Sequence, residues 1–350
     1  MMRYNAAMIK PIKTYSLDNL KQLVKDLGQP SFRAKQLYEW LYLHHVSSYD
    51  EMTNLPRTLR EQLSADYPLF NPIVIDSQTS QDGTAKYVIS YHDGACVEAV
   101  AIPSSDGRLA VCCSTQAGCA MGCAFCATGK EGFTRNLSAG EIADQIMIAQ
   151  TQMGKRVSNV VVMGQGEPFL NYGQTLGALR ILNDERLLNI GARHITISTC
   201  GILPGIDRLG TEPEQFTLAV SLHAAIQPTR DEIMPGVANY DLDKLKTTLL
   251  KYIERTNRRI TLEYAMMNHV NDKEDDLKAL VEFCTGLLCH VNLILLNEIE
   301  ESEFFPSKTQ TMNHWYRCLN RSGIETTIRH SRGSDIAGAC GQLKNAVKHR

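Results

Sequence analysis

The sequence predicts an α/β fold, in which a partial TIM-like (β/α)6 barrel follows a small N-terminal helical domain. Beyond about residue 84, short runs rich in β-branched residues alternate with longer segments of helical apolar spacing. Such units imply parallel strands with right-handed crossovers. There are six of them, whereas a complete barrel has eight. Before that point the apolar residues follow helical spacing. We therefore expect a domain of residues 1–90 and a second of residues 91–345.

The N-terminal region is predicted to contain three helices, over residues 17–27, 32–44 and 51–63, with Ser31 as N-cap of the second. Basic residues are interleaved with aromatic ones here: Lys21, Lys25, Arg33, Lys35, Arg57 and Arg60 alternate with Tyr38, Trp40 and Tyr42. This pattern is typical of a solvated helical bundle with an aromatic core. It also fits an accessory domain that contacts RNA, since Lys and Arg neutralise phosphates.

The second region begins with a predicted hairpin, residues 86–91 and 95–102, turning at His92-Asp93-Gly94. Six strands are then predicted, at 109–114, 159–163, 194–198, 216–221, 259–264 and 291–296. Helices are predicted at 138–153, 172–182, 241–256, 273–287 and 309–322. Because the chemistry of such barrels collects at the carboxyl ends of the strands, we expect the site there.

Composition and charge exclude several classes of protein. The 350 residues carry a net charge of -2, so no global positive field indicates a nucleic-acid partner. No apolar run approaches the ~20 residues that span a bilayer, and residues 1–16 lack the apolar core of a secretory signal. The eleven irregularly spaced cysteines argue against a disulfide scaffold. We expect a cytoplasmic protein with no membrane partner.

The most specific signal is a C-x3-C-x2-C motif formed by Cys119, Cys123 and Cys126, with Gly118 and Gly122 beside it. Three thiolates can hold three irons of a [4Fe–4S] cluster, whereas electron-transfer clusters use four. The open fourth iron fits S-adenosylmethionine, whose amino and carboxylate groups can chelate it. One electron from the cluster then releases a 5′-deoxyadenosyl radical. A zinc site is the alternative, but structural zinc is almost always four-coordinate and no further ligand pairs with this motif in sequence.

This motif, with Phe125 before the last cysteine and Gly-Glu after the next strand, resembles the radical-SAM superfamily. A narrower resemblance covers nearly the whole chain. Residues 112–129, 132–137, 221–224 and 332–343, the run Met-Gly-Gln-Gly-Glu-Pro at 163–168 and the helical segment 32–40 are similar to the RlmN/Cfr family of RNA adenine methyltransferases. That family methylates C2 or C8 of an adenine in RNA.

The resemblance implies a covalent route, because an aromatic adenine carbon is too poor a nucleophile to attack a sulfonium methyl group. Cys340 matches the residue that takes a methyl group from one S-adenosylmethionine, and the radical from a second abstracts hydrogen from it. The thiomethylene radical then adds to the adenine. Glu98 matches the proton acceptor. Cys112 matches the resolving cysteine that attacks the sulfur of Cys340, which leaves a transient disulfide for a cellular reductant to reopen.

The resemblance also implies a binding set for S-adenosylmethionine. Gly166 and Glu167 match the strand-end pair that meets its amino group. The other matching contacts are Ser198, Ser221, Leu222, His223 and Asn297. His223 by itself would more often be structural. Four cysteines match no motif and are interpreted as packing residues: Cys200, Cys284, Cys289 and Cys318.

We expect a methyltransferase that forms 2-methyladenosine in 23S rRNA at the peptidyl-transferase centre and beside the anticodon in tRNA. Its base would be splayed out of the RNA fold, and an electron donor such as flavodoxin or ferredoxin would reduce the cluster. Three alternatives stay open: methylation of adenine C8 with antibiotic resistance, a non-catalytic zinc-stabilised RNA-binding protein, and a radical enzyme for a small molecule. Gln165, Glu298 and Ala337-Gly338 depart from the family pattern and leave the fine substrate preference open.

Overall fold

The computed structural model describes residues 10–300 and 302–344. Residues 1–9 of the segment assessed for a secretory signal, and residue 345 at the predicted end of the second domain, lie outside the described residues. No helix in the described ranges is long and apolar enough to cross a membrane.

The N-terminal part contains helices α1 (Leu17–Asp26), α2 (Phe32–Tyr42) and α3 (Arg57–Asp66), close to the predicted ones. Ser16 caps α1, because its side chain accepts a hydrogen bond from the Asn19 amide. Ser31 occupies the N-cap position of α2, as predicted, but it already has helical backbone angles and its side chain makes no capping hydrogen bond.

The aromatic residues of α2 face two environments. The Tyr38 and Tyr42 rings are buried edge-to-face, with centroids 4.9 Å apart. The half-buried Trp40 instead donates from Nε1 to Asn54 Oδ1. The tyrosines thus form the aromatic core that the sequence predicts, and Trp40 keeps its polar edge near the surface.

The strands of the main sheet follow. They are β1 (Ile73–Thr79), β2 (Ala85–Ser90), β3 (Cys96–Pro103), β4 (Leu109–Cys112), β7 (Asn159–Val162), β8 (Ile195–Thr199), β9 (Thr217–Ser221), β10 (Ile260–Met266), β11 (Cys289–Leu295) and β12 (Glu325–Arg329). They form one ten-stranded sheet in the order β1-β2-β3-β4-β7-β8-β9-β10-β11-β12. Neighbours pair antiparallel from β1 to β4 and parallel from β4 to β12.

Two short strands, β5 (Gln116–Gly118) and β6 (Phe133–Asn136), pair separately. The helices of this part are α4 (Ala127–Glu131), α5 (Ala139–Met153), α6 (Tyr172–Asn183), α7 (Leu203–Leu209), α8 (Gln227–Ile233), α9 (Leu242–Thr256), α10 (Glu274–Cys284) and α11 (Thr309–Arg321). Local sequence explains their ends. A capping box of Ser138 and Glu141 starts α5, and Gly154 in the left-handed region ends it.

The predicted α/β fold is confirmed, with all six parallel strands and the hairpin in place. The edge strands β1 and β12 are additional, and the sequence did not predict them. Their residues are mostly exposed or half-buried, and only Ile73, Val74 and Ile75 of β1 and Ile328 of β12 are apolar, so neither strand is apolar along its length as a central strand is. Because α3 ends at Asp66 and β1, which pairs with β2, begins at Ile73, the change from helices to sheet falls at residues 67–72. The division into two domains stays a prediction.

Candidate active site

A cavity, here called the main cavity, opens at the carboxyl ends of the parallel strands. It brings together most of the predicted site residues: Cys119, Cys123, Cys126, Gly166, Glu167, Ser198, Ser221, His223, Asn297 and Cys340. These residues come from loops far apart in sequence, and the parallel sheet gathers them at one rim. Glu98, Cys112 and Leu222 do not line this cavity.

The cysteine loop leaves β5 through a turn that requires glycine. Gly118 has φ +76°, and a Cβ placed there would lie 2.0 Å from the carbonyl oxygen of Gly132. The next amide, that of Cys119, donates to the same oxygen at 2.9 Å. Farther along, the Cys126 amide donates to the Cys123 carbonyl at 3.1 Å. Backbone hydrogen bonds therefore hold the loop in shape from within.

The three motif thiols fit an iron–sulfur cluster by their chemistry. All three are free and line the same cavity. Among the described residues, no three His, Cys, Asp or Glu side chains are grouped closely enough to hold a single metal ion. A cubane needs a wider arrangement, because each of its protein thiolates binds a different iron.

Glu167 is buried and both of its carboxylate oxygens are engaged. One oxygen accepts from the Thr199 hydroxyl at 2.7 Å and the Phe169 amide at 3.0 Å, and the other accepts from the Cys200 amide at 2.7 Å. Burial raises the pKa of Glu167, while these hydrogen bonds oppose the rise. The side chain thus ties the second strand-end loop to the third. Its neighbour Gly166, at φ +95°, packs where a Cβ would overlap the Gln116 side chain.

His223 lies in the turn after β9 with φ +55°, a conformation uncommon for a residue with a Cβ. Its Nδ1 accepts from the Ala265 amide at 3.0 Å, so Nε2 carries the ring proton. Burial, and then the charge of Arg230, lower the pKa of His223 to about 3. The ring is therefore neutral and packs edge-to-face on Phe125, with centroids 4.9 Å apart.

The hydroxyls of Ser198 and Ser221 lie 3.4 Å apart on neighbouring strands, where both border the main cavity. Leu222 is fully buried. Its amide donates to the Glu263 carbonyl at 3.0 Å, and its carbonyl accepts from Arg230 Nε at 3.3 Å. Of the Ser221-Leu222-His223 run, the first and last residues thus have side chains on the cavity, whereas the Leu222 side chain faces the core.

The tail loop that carries Cys340 docks on the cysteine loop and on the strand-end loop after β11. The Ala127 amide donates to the Gly341 carbonyl at 2.8 Å, and Asn297 Nδ2 donates to the Cys340 carbonyl at 3.0 Å. Thr128 Oγ1 donates to the Leu343 carbonyl at 2.6 Å. These contacts hold an exposed cysteine at the rim of the main cavity.

A second cavity, the tail cavity, also borders Cys340. It is lined by Cys112, Cys340, Arg329 and Leu343, among others. Cys112 and Cys340 therefore share one cavity, and Cys340 borders both. Burial raises the pKa of the Cys112 thiol to about 12, and the Arg329 charge acts in the opposite direction.

Glu98 lies on β3, outside both cavities, and is fully buried. Its Oε1 is 3.1 Å from Lys86 Nζ, and its Oε2 accepts from the Lys344 amide at 2.8 Å. Burial raises the pKa of Glu98, and Lys86 opposes the rise. The carboxylate is thus in contact with the tail loop.

Sequence reasoning missed three residues of the site. Cys200, interpreted as a packing residue, lines the main cavity beside the motif cysteines. Glu263 also lines it, with Oε1 accepting from Asn292 Nδ2 at 2.9 Å and Oε2 lying 3.9 Å from Arg329. Arg329 borders both cavities. Glu263 lies inside a predicted strand and Arg329 ends β12, which the sequence did not predict, so no sequence signal pointed to either residue. The position of Cys200 just after a strand end could have identified it.

Comparison with known proteins decides the family. A model of the ribosomal RNA large subunit methyltransferase N-terminal domain matches residues 12–67, and the radical SAM superfamily model matches residues 113–284. A probable dual-specificity RNA methyltransferase RlmN of Clostridium novyi (strain NT) is 43% identical over 96% of this chain and 98% of its own length. The chain belongs to the RlmN family. Like other radical SAM enzymes, this RlmN family member uses a [4Fe–4S] cluster and S-adenosylmethionine.

Further relatives match over nearly the whole length of the chain. A probable dual-specificity RNA methyltransferase RlmN of Clostridium tetani (strain Massachusetts / E88) is 44% identical over 94% of both chains. The crystal structure of a radical SAM methyltransferase from Sphaerobacter thermophilus matches with a TM-score of 0.89 and 41% identity, covering 96% of this chain and 99% of that one. The expected resemblance to the RlmN/Cfr family is therefore confirmed.

Proposed function

We propose that this enzyme methylates C2 of an adenine in 23S rRNA at the peptidyl-transferase centre, and of the adenine beside the anticodon in tRNA. The route would pass through an S-methylcysteine and a covalent RNA–enzyme intermediate, using two S-adenosylmethionine molecules per turnover. The names of the 43% and 44% identical relatives support RNA as the substrate. The observation that carries the route is the position of Cys340, which borders both the cavity of the motif cysteines and the cavity of Cys112.

Cys119, Cys123 and Cys126 would hold the cluster, and the remaining rim would hold S-adenosylmethionine. When bound, the cluster supplies the electron that cleaves S-adenosylmethionine into methionine and a 5′-deoxyadenosyl radical. Gly166 and Glu167 would form one side of the binding site for S-adenosylmethionine. Ser198, Ser221, Leu222, His223 and Asn297 would form the rest, with the neutral His223 offering its Nε2 proton.

Cys340 would carry the methyl group and then the adenine. Asn297 and the Ala127 amide each donate a hydrogen bond to the main chain of its loop, so the position of the thiol is fixed. A positioned thiol loses less entropy on reaching the bound base than a free one. Because the tail also contacts Glu98 through the Lys344 amide, the proton acceptor and the carrier cysteine are held by one segment.

Glu98 would take the proton from the substituted adenine carbon. Burial raises its pKa, which suits a group that must both accept and release a proton near neutral pH. Cys112 would then attack the sulfur of Cys340 and free the RNA. This step needs a thiolate, and Arg329 is the cation that favours one at Cys112.

The deciding experiment uses anaerobically purified protein with reductant, S-adenosylmethionine and unmodified 23S rRNA or tRNA. We expect iron and sulfide in the protein and 2-methyladenosine in the digested RNA. Zinc in place of iron would support the RNA-binding alternative, and 8-methyladenosine would support the C8 alternative. Methylation of a free nucleoside but not RNA would support the small-molecule alternative.

A Cys340→Ala variant tests the covalent route. We expect loss of methylation, because no sulfur is left to carry the methyl group, while the cluster and the cleavage of S-adenosylmethionine stay. Cys318→Ala, which changes a half-buried cysteine of α11 that lines neither cavity, serves as the control. Persistent RNA methylation by Cys340→Ala, measured by nucleoside mass spectrometry, would overturn the route.

The proposed reaction also requires a suitable cellular location, an electron donor and a thiol reductant. A cytoplasmic location gives the enzyme unassembled rRNA, a low-potential donor such as flavodoxin or ferredoxin, and a thiol reductant for the Cys112–Cys340 disulfide. The N-terminal helices would contact the RNA. The match of residues 12–67 to a domain model named for ribosomal RNA methyltransferases supports that role.

A further inference from the structure

A buried arginine lies behind the cysteine loop. Arg230, in α8, is 1% exposed, which is unusual for a residue whose charge is permanent. Its guanidinium donates to two main-chain oxygens, from Nη2 to Cys200 at 2.6 Å and from Nε to Leu222 at 3.3 Å. Both acceptors are uncharged. A buried cation without a counter-charge is costly, so an anion must come from elsewhere.

No carboxylate of the described residues makes an ion pair with Arg230. Its sequence neighbour Asp231 instead accepts a hydrogen bond from Gln227 at 2.6 Å. Cys200, whose carbonyl accepts from Arg230, lines the main cavity together with the motif residue Cys123. The guanidinium thus lies directly behind the part of the cavity wall that carries the motif cysteines.

The segment that carries Arg230 is fixed directly to the cysteine loop. The Ala124 amide donates to the Ile233 carbonyl at 3.0 Å, and the Gly236 amide donates to the Met121 carbonyl at 3.0 Å. A Cβ on Gly236 would lie 2.5 Å from that same Met121 oxygen, so the two segments are in close contact. These contacts hold the segment of Arg230 in a fixed position relative to the cysteine loop, which contains Cys123.

We propose that Arg230 is the built-in counter-charge of the iron–sulfur cluster and sets its reduction potential. An oxidised cubane core carries two positive charges against three cysteine thiolates, so the site is anionic. Reduction by one electron from a low-potential donor adds another negative charge. A fixed cation at short range in a low-dielectric interior stabilises that more negative state. Arg230 thus makes the cluster easier to reduce. This inference rests on the proposed placement of the cluster at Cys119, Cys123 and Cys126.

The test is the midpoint potential of the cluster in the full-length holoenzyme, followed by electron paramagnetic resonance during an anaerobic redox titration. Arg230→Gln keeps a hydrogen-bonding side chain and removes the charge. We expect its potential to become more negative, with the equilibrium constant for one-electron reduction lowered by roughly tenfold. Arg230→Lys keeps the charge, and we expect a potential closer to that of the unchanged enzyme.

Arg258→Gln is the matched control. Arg258 also donates to two main-chain oxygens, of Glu214 and Phe216, but at the opposite end of the sheet, just before β10 begins. Its loss should leave the potential unchanged. An unchanged potential in Arg230→Gln, or a failure of both Arg230 variants to fold, would overturn the inference and leave Arg230 a structural donor. If Arg230→Gln loses the cluster while Arg230→Lys keeps it, the counter-charge is supported. Absence of a cluster from the unchanged enzyme would instead contradict the proposed function.

Discussion

At the scale of single residues, the site depends on a buried pair of opposite charges. Glu98 and Lys86 are both nearly inaccessible, at 0% and 6% exposed, and lie 3.1 Å apart. Lys86 also donates to the Ala337 carbonyl at 3.4 Å. One cation thus faces both the proposed proton acceptor and the tail loop. Breaking such a pair leaves an uncompensated buried charge.

Lys86→Met makes that role measurable. Without the cation, burial raises the pKa of Glu98 further, so the carboxylate stays protonated to a higher pH. A base must be unprotonated, and the acid limb of the methylation rate should therefore move to higher pH. The measurement is the pH profile of the rate constant for methylation in single-turnover experiments.

Lys251→Met, on the exposed face of α9, is the control for that profile. It removes the same charge far from Glu98 and should leave the acid limb in place. An acid limb that does not move in Lys86→Met would contradict Glu98 as the base.

At the scale of elements, the short helix α4 joins the cysteine loop to the tail. Its first two residues donate hydrogen bonds to two tail carbonyls: the Ala127 amide to that of Gly341 and the Thr128 hydroxyl to that of Leu343. The same tail segment reaches Asn297 on the opposite side. The position of Cys340 therefore depends on contacts between segments more than two hundred residues apart, such as Thr128 and Leu343.

Thr128→Val removes the buried hydroxyl of that contact and keeps the side-chain shape. The Leu343 carbonyl then lacks its partner, which costs about 1 to 2 kcal/mol. Amide hydrogen exchange in residues 338–343 should become roughly tenfold faster, since the tail opens more often. Thr285→Val, whose hydroxyl bonds only within the end of α10, should not change it. Unchanged exchange in Thr128→Val would show that the tail is held by other contacts.

At the scale of the whole molecule, the N-terminal part is fastened to the sheet region by a buried ion pair. Lys13 Nζ lies 2.7 Å from Asp144 Oδ1 on α5, and it also donates to Asn71 Oδ1 at 2.7 Å. The Lys13 carbonyl accepts from the Tyr42 hydroxyl of α2 at 3.1 Å. Burial raises the pKa of Asp144, and Lys13 opposes the rise. Lys13 thus links the N-terminal helices to α5 of the sheet region.

Asp144→Ala should destabilise the protein by about 3 kcal/mol, because it leaves the Lys13 ammonium buried and unpaired. Anaerobic urea unfolding, followed by circular dichroism, measures the loss. Asp243→Ala, on the exposed first turn of α9, should change the free energy of unfolding by less than about 0.5 kcal/mol. Equal stability of Asp144→Ala and the unchanged protein would mean that the junction contributes nothing net.

Much of the fold follows from local patterns. The central strands and long helices were predictable because each has its own apolar periodicity, as in β8 and α9. The strands β1 and β12 were not, because pairing at a sheet edge needs no apolar run. Ser31 stands at the predicted N-cap position, but its side chain makes no capping hydrogen bond, because the backbone is already helical there.

The sequence by itself determined the cysteine loop and the family, since contiguous residues carry both. Only the tertiary structure decided which distant groups meet: Lys86 with Glu98, Cys112 with Cys340 across one cavity, and Arg230 with the cysteine loop. The physical reason is the range of the forces. Thiolate spacing and strand periodicity act over a few residues, whereas the charge felt by a buried group depends on whatever the fold places around it.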